Sequence, residues 1–336
     1  MRQLPVLEAR RRELETCVYC PKLCRSACPV SNAEPRETLI PWGKMSTAYF
    51  AARGDVPLDE SHAAPAWACT GCFACREACD HRNEVGPTLF DARDALMQKG
   101  LGPAAAKKTL GSFGSERSPS IRGKTAVLVG CLYDRKLPEI AQSAGSVAAK
   151  LLGDVALERA CCGLPLRMAG DKRRFEEHGA QFRGREIVAV DPGCAMALRE
   201  AGAHVTLLVE HVAARVGELL EGDGERAMRW HDPCQLGRGL GIYDAPRTVL
   251  TRALGRAPLE FDLRRERAEC SGAGGLLPLT MPETSRAIAN KRVADADGAP
   301  IVTACASSVL RFRSVGADVV DLMSVVDQKL PPTTAP

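Results

Sequence analysis

Eight cysteines crowd the first 79 residues of this 336-residue chain, and no other feature restricts what it can fold into as strongly. They form two runs, Cys17-x2-Cys20-x3-Cys24-x3-Cys28-Pro29 and Cys69-x2-Cys72-x2-Cys75-x3-Cys79-Asp80. Seven more are spread from Cys131 to Cys305, giving an odd total of 15. The first residues, from Met1-Arg2-Gln3-Leu4-Pro5 to Glu13, hold no apolar leader segment, so a cytoplasmic and reducing setting is expected. Disulfides do not persist in that setting, and 45% apolar residues give a core able to fold without them. Metal ligation is therefore the expectation for these thiols.

The remaining composition removes other classes. Forty-five basic against 41 acidic residues leave +4, too balanced for a charge-driven polyanion binder. With 3 Trp, 4 Tyr and 8 Phe there are few platforms on which bases could stack, so no nucleic-acid partner is expected. No stretch approaches the ~18 apolar residues of a membrane span. There is no Gly-x-Ser-x-Gly elbow, P-loop or His-Glu-x-x-His, which leaves hydrolase and NTPase readings without support.

The second cysteine run has the spacing of a bacterial two-cluster ferredoxin; the first has one extra residue but keeps the proline after its fourth cysteine. Each resembles a loop that gives three thiolates to a [4Fe–4S] cube. In two-cluster ferredoxins the fourth cysteine of each run serves the other cluster. The resemblance therefore implies that Cys17, Cys20, Cys24 and Cys79 hold one [4Fe–4S] cluster, and Cys69, Cys72, Cys75 and Cys28 the other. A pair of Cys₄ zinc sites is the competing reading, although zinc ribbons usually pair two C-x2-C knuckles.

Around these runs the pattern is helical: Trp42 to Ala52, then Pro87 to Lys99 with Gly100 as a stop. Residues 1–105 read as a helical two-cluster ferredoxin domain and 106–123 as a linker. From Lys124, short apolar runs alternate with helical patterns, the grammar of an α/β domain with a parallel sheet. Strands are expected at Ala126–Val129, Ile187–Val190, Val205–Val209, Ala227–His231 and Ile301–Ala304. Helices are expected at Pro138–Leu152, Lys172–Arg183, His211–Leu220, Ala245–Leu254 and Glu283–Ala296. Cys131 to Cys234, Cys161 to Cys270 and Cys194 to Cys305 are separated by 103, 109 and 111 residues, which points to an internal duplication, 124–225 and 226–336.

Each repeat has one cysteine, then a Cys-Cys-Gly or a variant of it, then another cysteine. Cys131, Cys161-Cys162-Gly163 and Cys194 state the pattern in full; Cys234, Cys270-Ser271-Gly272 and Cys305 state it with one substitution. This resembles the cysteine-rich (CCG) domain of heterodisulfide reductase subunits. That domain also occurs in iron–sulfur subunits of glycolate oxidase, of lactate-utilisation complexes and of anaerobic glycerol-3-phosphate dehydrogenase, where a two-cluster ferredoxin module precedes two such domains. The resemblance implies an α plus α/β fold and a further iron–sulfur or zinc site at Cys131, Cys161, Cys162 and Cys194. It implies an incomplete second site at Cys234, Cys270 and Cys305. In the catalytic subunit of heterodisulfide reductase the full motif ends in C-x2-C. Here Asp191 stands at the first position of that pair.

Weaker signals have plainer readings. Gly237-x-Gly239-x-Gly241 lacks the third glycine spacing of a dinucleotide fingerprint and reads as a loop beside Cys234. Gly272-Ala-Gly-Gly275 suits close backbone approach to sulfides. His231 reads as a capping or supporting group, with ligation the sharper alternative. Lys22, Arg25 and the Arg10-Arg11-Arg12 stretch read as solvated charges. No flavin or nicotinamide signature is present, so the expected role is electron transfer, not turnover by the chain itself. The family implies a flavoprotein dehydrogenase partner of 2-hydroxy-acid type, or another redox subunit. It also implies quinone or another carrier, including a membrane-bound one, as acceptor, with the chain cytoplasmic and held at the inner face of the membrane only through such a partner. A chain that reduces a thiol-disulfide substrate at its CCG site is the alternative.

Overall fold

A computed structural model describes residues 1–114, 118–120 and 125–331. The α plus α/β expectation holds: the ferredoxin region is helical, and among the described residues eight short strands follow. The chain divides into two compact units. The first comprises 1–114, 165–175 and 269–292; the second comprises 115–164, 176–268 and 293–336. The expected linker residues 115–117 and 121–123 lie outside the described residues. Residues 104–111, partly within that expected linker, form a helix.

In the first unit the helix Pro41–Arg53 begins on a proline, whose missing N–H costs nothing in a first turn. It ends at Gly54, whose φ of 88° lets the chain turn left-handed. The helix Val85–Gln98 starts two residues before the expected Pro87, which is still in the first turn, where amides have no helical partner anyway. Leu89, Ala92 and Leu96 from this helix pack with Leu14, Met45, Tyr49 and Trp67. Cys17 belongs to the same core, and Cys28 to a second one with Val30, Leu39, Leu277 and Ile288. The cysteine loops are thus anchored by apolar burial on both sides.

The second unit holds two parallel four-stranded sheets. The strands are β1 (Thr125–Leu128), β2 (Ala156–Glu158), β3 (Glu186–Ala189), β4 (His204–Leu207), β5 (Arg229–Trp230), β6 (Leu259–Glu260), β7 (Ile301–Thr303) and β8 (Val319–Asp321). Their orders, β2-β1-β3-β4 and β6-β5-β7-β8, are the same arrangement written twice. The expected strand over Val205–Val209 stops at Leu207, because the Glu210 carboxylate accepts the Leu207 N–H at 3.0 Å and starts the helix Leu208–Ala214. The helix expected at His211–Leu220 therefore begins earlier. The helix Pro138–Leu152 has the expected bounds. Among the described residues no helix is long and apolar enough to cross a membrane.

Candidate metal centres

The first unit brings the two cysteine runs together in a crossed arrangement. One cavity, enclosing about 330 Å³ of space with solvent at its mouth included, is lined by Cys17, Cys20, Cys24, Cys79 and Cys75 with Lys22, Trp42 and Asn83. A second, of about 360 Å³ on the same measure, is lined by Cys28, Cys69, Cys72 and Cys75 with Lys44, Gly71 and Phe73. Each fourth cysteine, Cys28 and Cys79, faces the cavity of the other run. Local backbone makes the second loop tight: Gly71 has φ +67°, and its N–H points to Cys69 Sγ at 3.4 Å. A side chain there would meet the Phe90 ring at 2.8 Å.

The donor chemistry suits an iron–sulfur cube. No carboxylate is among the described residues lining either cavity. Burial pushes the Cys17 thiol up to about 12, offset only in part by the Asn83 hydrogen bond, and the Cys24 thiol up to about 11. Burial also raises Cys75 well above its ordinary value. Several buried thiolates without a cationic centre are unfavourable, so a bound core of iron would supply the charge that lets them ionise. Among the described residues no three His, Cys, Asp or Glu side chains are disposed to hold a single metal ion. The ferredoxin thiols line cavities instead.

Two neighbours of these sites were invisible in the sequence. Asn83 donates from Nδ2 to Cys17 Sγ at 3.0 Å and to the Glu13 carbonyl at 2.8 Å. Lys44, 2% exposed, donates from Nζ to Cys28 Sγ at 3.4 Å. Lys22, read as a solvated charge, lies 3.9 Å over the Trp42 ring and 3.8 Å from Glu37, with which Arg25 also pairs. Arg10 is tied to Asp91 at 2.7 Å, a fold contact.

In the second unit Cys131, Cys161, Cys162 and Cys194 converge beyond the carboxyl ends of β1, β2 and β3, where parallel sheets place their sites. Cys131 Sγ and Cys161 Sγ are 3.5 Å apart, and Cys162 contacts both Cys161 and Cys194. Gly130, φ +91°, lets the chain pass Cys194: a Cβ there would lie 3.2 Å from its sulfur. Asp191 caps the helix Pro192–Glu200, accepting from Gly193 N at 2.8 Å and Cys194 N at 3.4 Å through Oδ1. Its other oxygen accepts from Ala306 N at 3.0 Å, at the start of the helix Ala306–Arg313 in repeat two.

Repeat two is organised differently. Cys305 is buried beside Asp191, and burial followed by that carboxylate pushes its thiol up to about 12. Cys234 is half-buried ahead of a single helical turn, Gln235–Gly239, in which Gly237 packs against the Tyr243 ring. Cys270 belongs to the first unit, where Gly272 N–H points at its sulfur at 3.3 Å. His231 is buried with its ring edge-on to Phe312 and Phe261. Its neighbour Asp232 accepts from the two terminal Arg247 nitrogens, at 2.8 and 2.9 Å.

Residues 13–83 match the 4Fe-4S dicluster domain, and residues 125–199 and 228–312 match the cysteine-rich domain. The chain is 24% identical to a subunit of the dihydromethanophenazine:CoB–CoM heterodisulfide reductase of Methanosarcina mazei, over 94% of this chain and 92% of that protein. It is 25% identical to a subunit of the fumarate reductase (CoM/CoB) of Methanothermobacter marburgensis, over 84% of this chain and 63% of that one. It is also 24% identical to EtfAB:quinone oxidoreductase of Syntrophomonas wolfei, over 78% of this chain and 48% of that protein. The chain belongs to the iron–sulfur proteins that join a 4Fe-4S dicluster domain to paired cysteine-rich CCG domains.

Proposed function

We propose that the chain is the electron-transfer subunit of a multi-subunit oxidoreductase. In this reading two [4Fe–4S] clusters are held crosswise, one by Cys17, Cys20, Cys24 and Cys79 and one by Cys28, Cys69, Cys72 and Cys75. The cluster type supplies one-electron chemistry at nearly fixed geometry; the protein supplies insulation, hydrogen bonds to sulfur and local charge. The carrying observation is the pair of thiol-lined cavities, in which Cys79 faces Cys17, Cys20 and Cys24 while Cys28 faces Cys69, Cys72 and Cys75, with no carboxylate among the described residues lining either. Cys131, Cys161, Cys162 and Cys194 hold a further iron–sulfur site; the zinc alternative is set aside because these thiols are not disposed around a single metal ion. A flavoprotein dehydrogenase of 2-hydroxy-acid type is the partner and quinone or a similar carrier the acceptor; a relative named as an EtfAB:quinone oxidoreductase supports the quinone end of that chain, and the resemblance to glycolate oxidase iron–sulfur subunits supports the dehydrogenase end.

Direct reduction of a disulfide at the CCG site is the second reading, favoured by the near end-to-end match with one chain of a heterodisulfide reductase. It is weakened by Asp191, which uses its carboxylate as a helix cap where a further thiolate would stand. One experiment separates these. Anaerobically purified full chain should contain iron and acid-labile sulfide for at least two [4Fe–4S] clusters. It should oxidise no hydroxy acid and reduce no disulfide by itself, yet pass electrons from an added reduced flavoprotein to a quinone. Stoichiometric zinc without labile sulfide after anaerobic reconstitution would end the reading, and disulfide turnover by the isolated chain would replace it.

A further inference from the structure

The two four-thiol sites of the first unit stand in unequal electrostatic surroundings. Beside the site of Cys28, Cys69, Cys72 and Cys75 are two buried cations. Lys44 reaches Cys28 Sγ at 3.4 Å. Arg93, fully buried, gives its hydrogen bonds to carbonyls: Cys69 at 2.7 Å, Ala66 at 2.9 Å, Met168 at 2.8 Å and Gly275 at 3.0 Å. The other site has a neutral amide, Asn83, on Cys17 Sγ. Its lining cation, Lys22, has a side chain 36% exposed and lies near Glu37. Solvent and a counter-charge screen Lys22; neither screens a buried cation to the same degree.

Reducing a thiolate-ligated cube adds one negative charge to an already anionic group, so nearby positive charge favours the reduced form. We propose that Lys44 and Arg93 are positioning residues that make the cluster at Cys28, Cys69, Cys72 and Cys75 the more easily reduced of the two. The assignment rests on the crossed two-cluster reading above. One electron, supplied by a reduced flavin of a partner or by a chemical reductant, enters without any bond being made or broken and rests at this site. That is also the site whose loop is wedged against the segment following Cys270. A Cβ on Gly275 would fall 2.0 Å from the Cys69 carbonyl, and one on Gly274 2.3 Å from the Thr70 carbonyl. Arg93 bridges the Cys69 and Gly275 carbonyls at the same place. The electron-holding end of the first unit therefore lies against the segment contributed by repeat two.

The test is an EPR-monitored potentiometric titration of the anaerobically purified full chain with dithionite and mediator dyes. Two separable one-electron midpoints are expected. Lys44→Met should lower the higher midpoint by about tenfold in the reduction equilibrium, about 59 mV, and leave the lower one in place. Lys44→Arg, which keeps the charge, should stay near the wild type. Asn83→Leu should lower only the lower midpoint. If Lys44→Met fails to retain iron, Lys44→Gln carries the same expectation. Coincident midpoints, or a Lys44 effect on the lower midpoint or on neither, overturn the assignment. Iron and acid-labile sulfide are measured on every sample. Wild-type protein lacking them removes the two-cluster reading itself, whereas full content with an unmoved higher midpoint removes only the role of Lys44 and Arg93.

Discussion

Asp191 shows how a single side chain can occupy a ligand position and be put to another use. A full CCG motif would have a thiolate there; the carboxylate instead accepts three backbone N–H groups at the starts of two helices. Burial raises its pKa, and those three donors pull against that rise. Losing one cap typically costs ~1 kcal/mol, so Asp191→Ala should destabilise the second unit by about 2 kcal/mol. For a unit of this size that is a fall in Tm of about 4–8 °C, read by circular dichroism. Asp191→Asn should recover part of it, since a carboxamide keeps one acceptor oxygen of the two. Equal melting of Asp191→Ala and wild type would show that the caps carry no weight. The sequence marks Asp191 as a departure from the motif but not as a cap, because Ala306 lies 115 residues away. Asn83 and Lys44 are hidden for the same reason: their sulfur partners are 66 and 16 residues distant, and an isolated Asn or Lys has no pattern of its own.

Elements with strong local signals were legible. The run Trp42–Ala52 ahead of Gly54 marked Pro41–Arg53 to within one residue at each end, and the helical pattern between strand-like runs marked Pro138–Leu152. β2, β6 and β8 were not, because two or three residues are too few to show alternation, and their pairing with β1, β5 and β7 is wholly non-local. The crossing of the cysteine runs came from likeness to two-cluster ferredoxins, since spacing within one run does not say which cavity its last thiol faces. Cys79 follows Cys75 in sequence, yet lines the cavity of Cys17, Cys20 and Cys24. It therefore clamps the two runs together. Cys79→Ser should cost one cluster's worth of iron and abolish the lower midpoint. The surviving signal should be the one that Lys44→Met lowers. Loss of that signal instead, with the other intact, would place Cys79 on its own run's cluster.

The duplicated repeats of the second unit meet through a buried polar contact whose charge state depends on pH. Tyr133 of repeat one donates its hydroxyl to Asp321 of repeat two at 2.6 Å, and Asp321 also caps Met323 N at 2.8 Å. Burial raises the Asp321 carboxyl to about 7; the Tyr133 and Met323 hydrogen bonds and Arg313 oppose the rise, while Asp191 adds to it. In the unfolded chain an aspartate titrates near ~3.9. The folded state therefore holds the Asp321 proton more tightly. Its contribution to stability is fully present below about pH 4 and is lost as pH rises through about 7. Between about pH 5.5 and pH 8.5 that loss is of order 2 kcal/mol, or about 4–8 °C in Tm. Asparagine cannot ionise but keeps an acceptor for Met323 N and a donor that can face the Tyr133 oxygen. Asp321→Asn should therefore melt closer to wild type, or below it, at pH 5.5 and gain on wild type steadily as pH rises to 8.5. Melting curves of the two proteins that stay parallel across this range would mean that Asp321 is already ionised in the folded chain, and that the contact between the repeats is a charged one throughout.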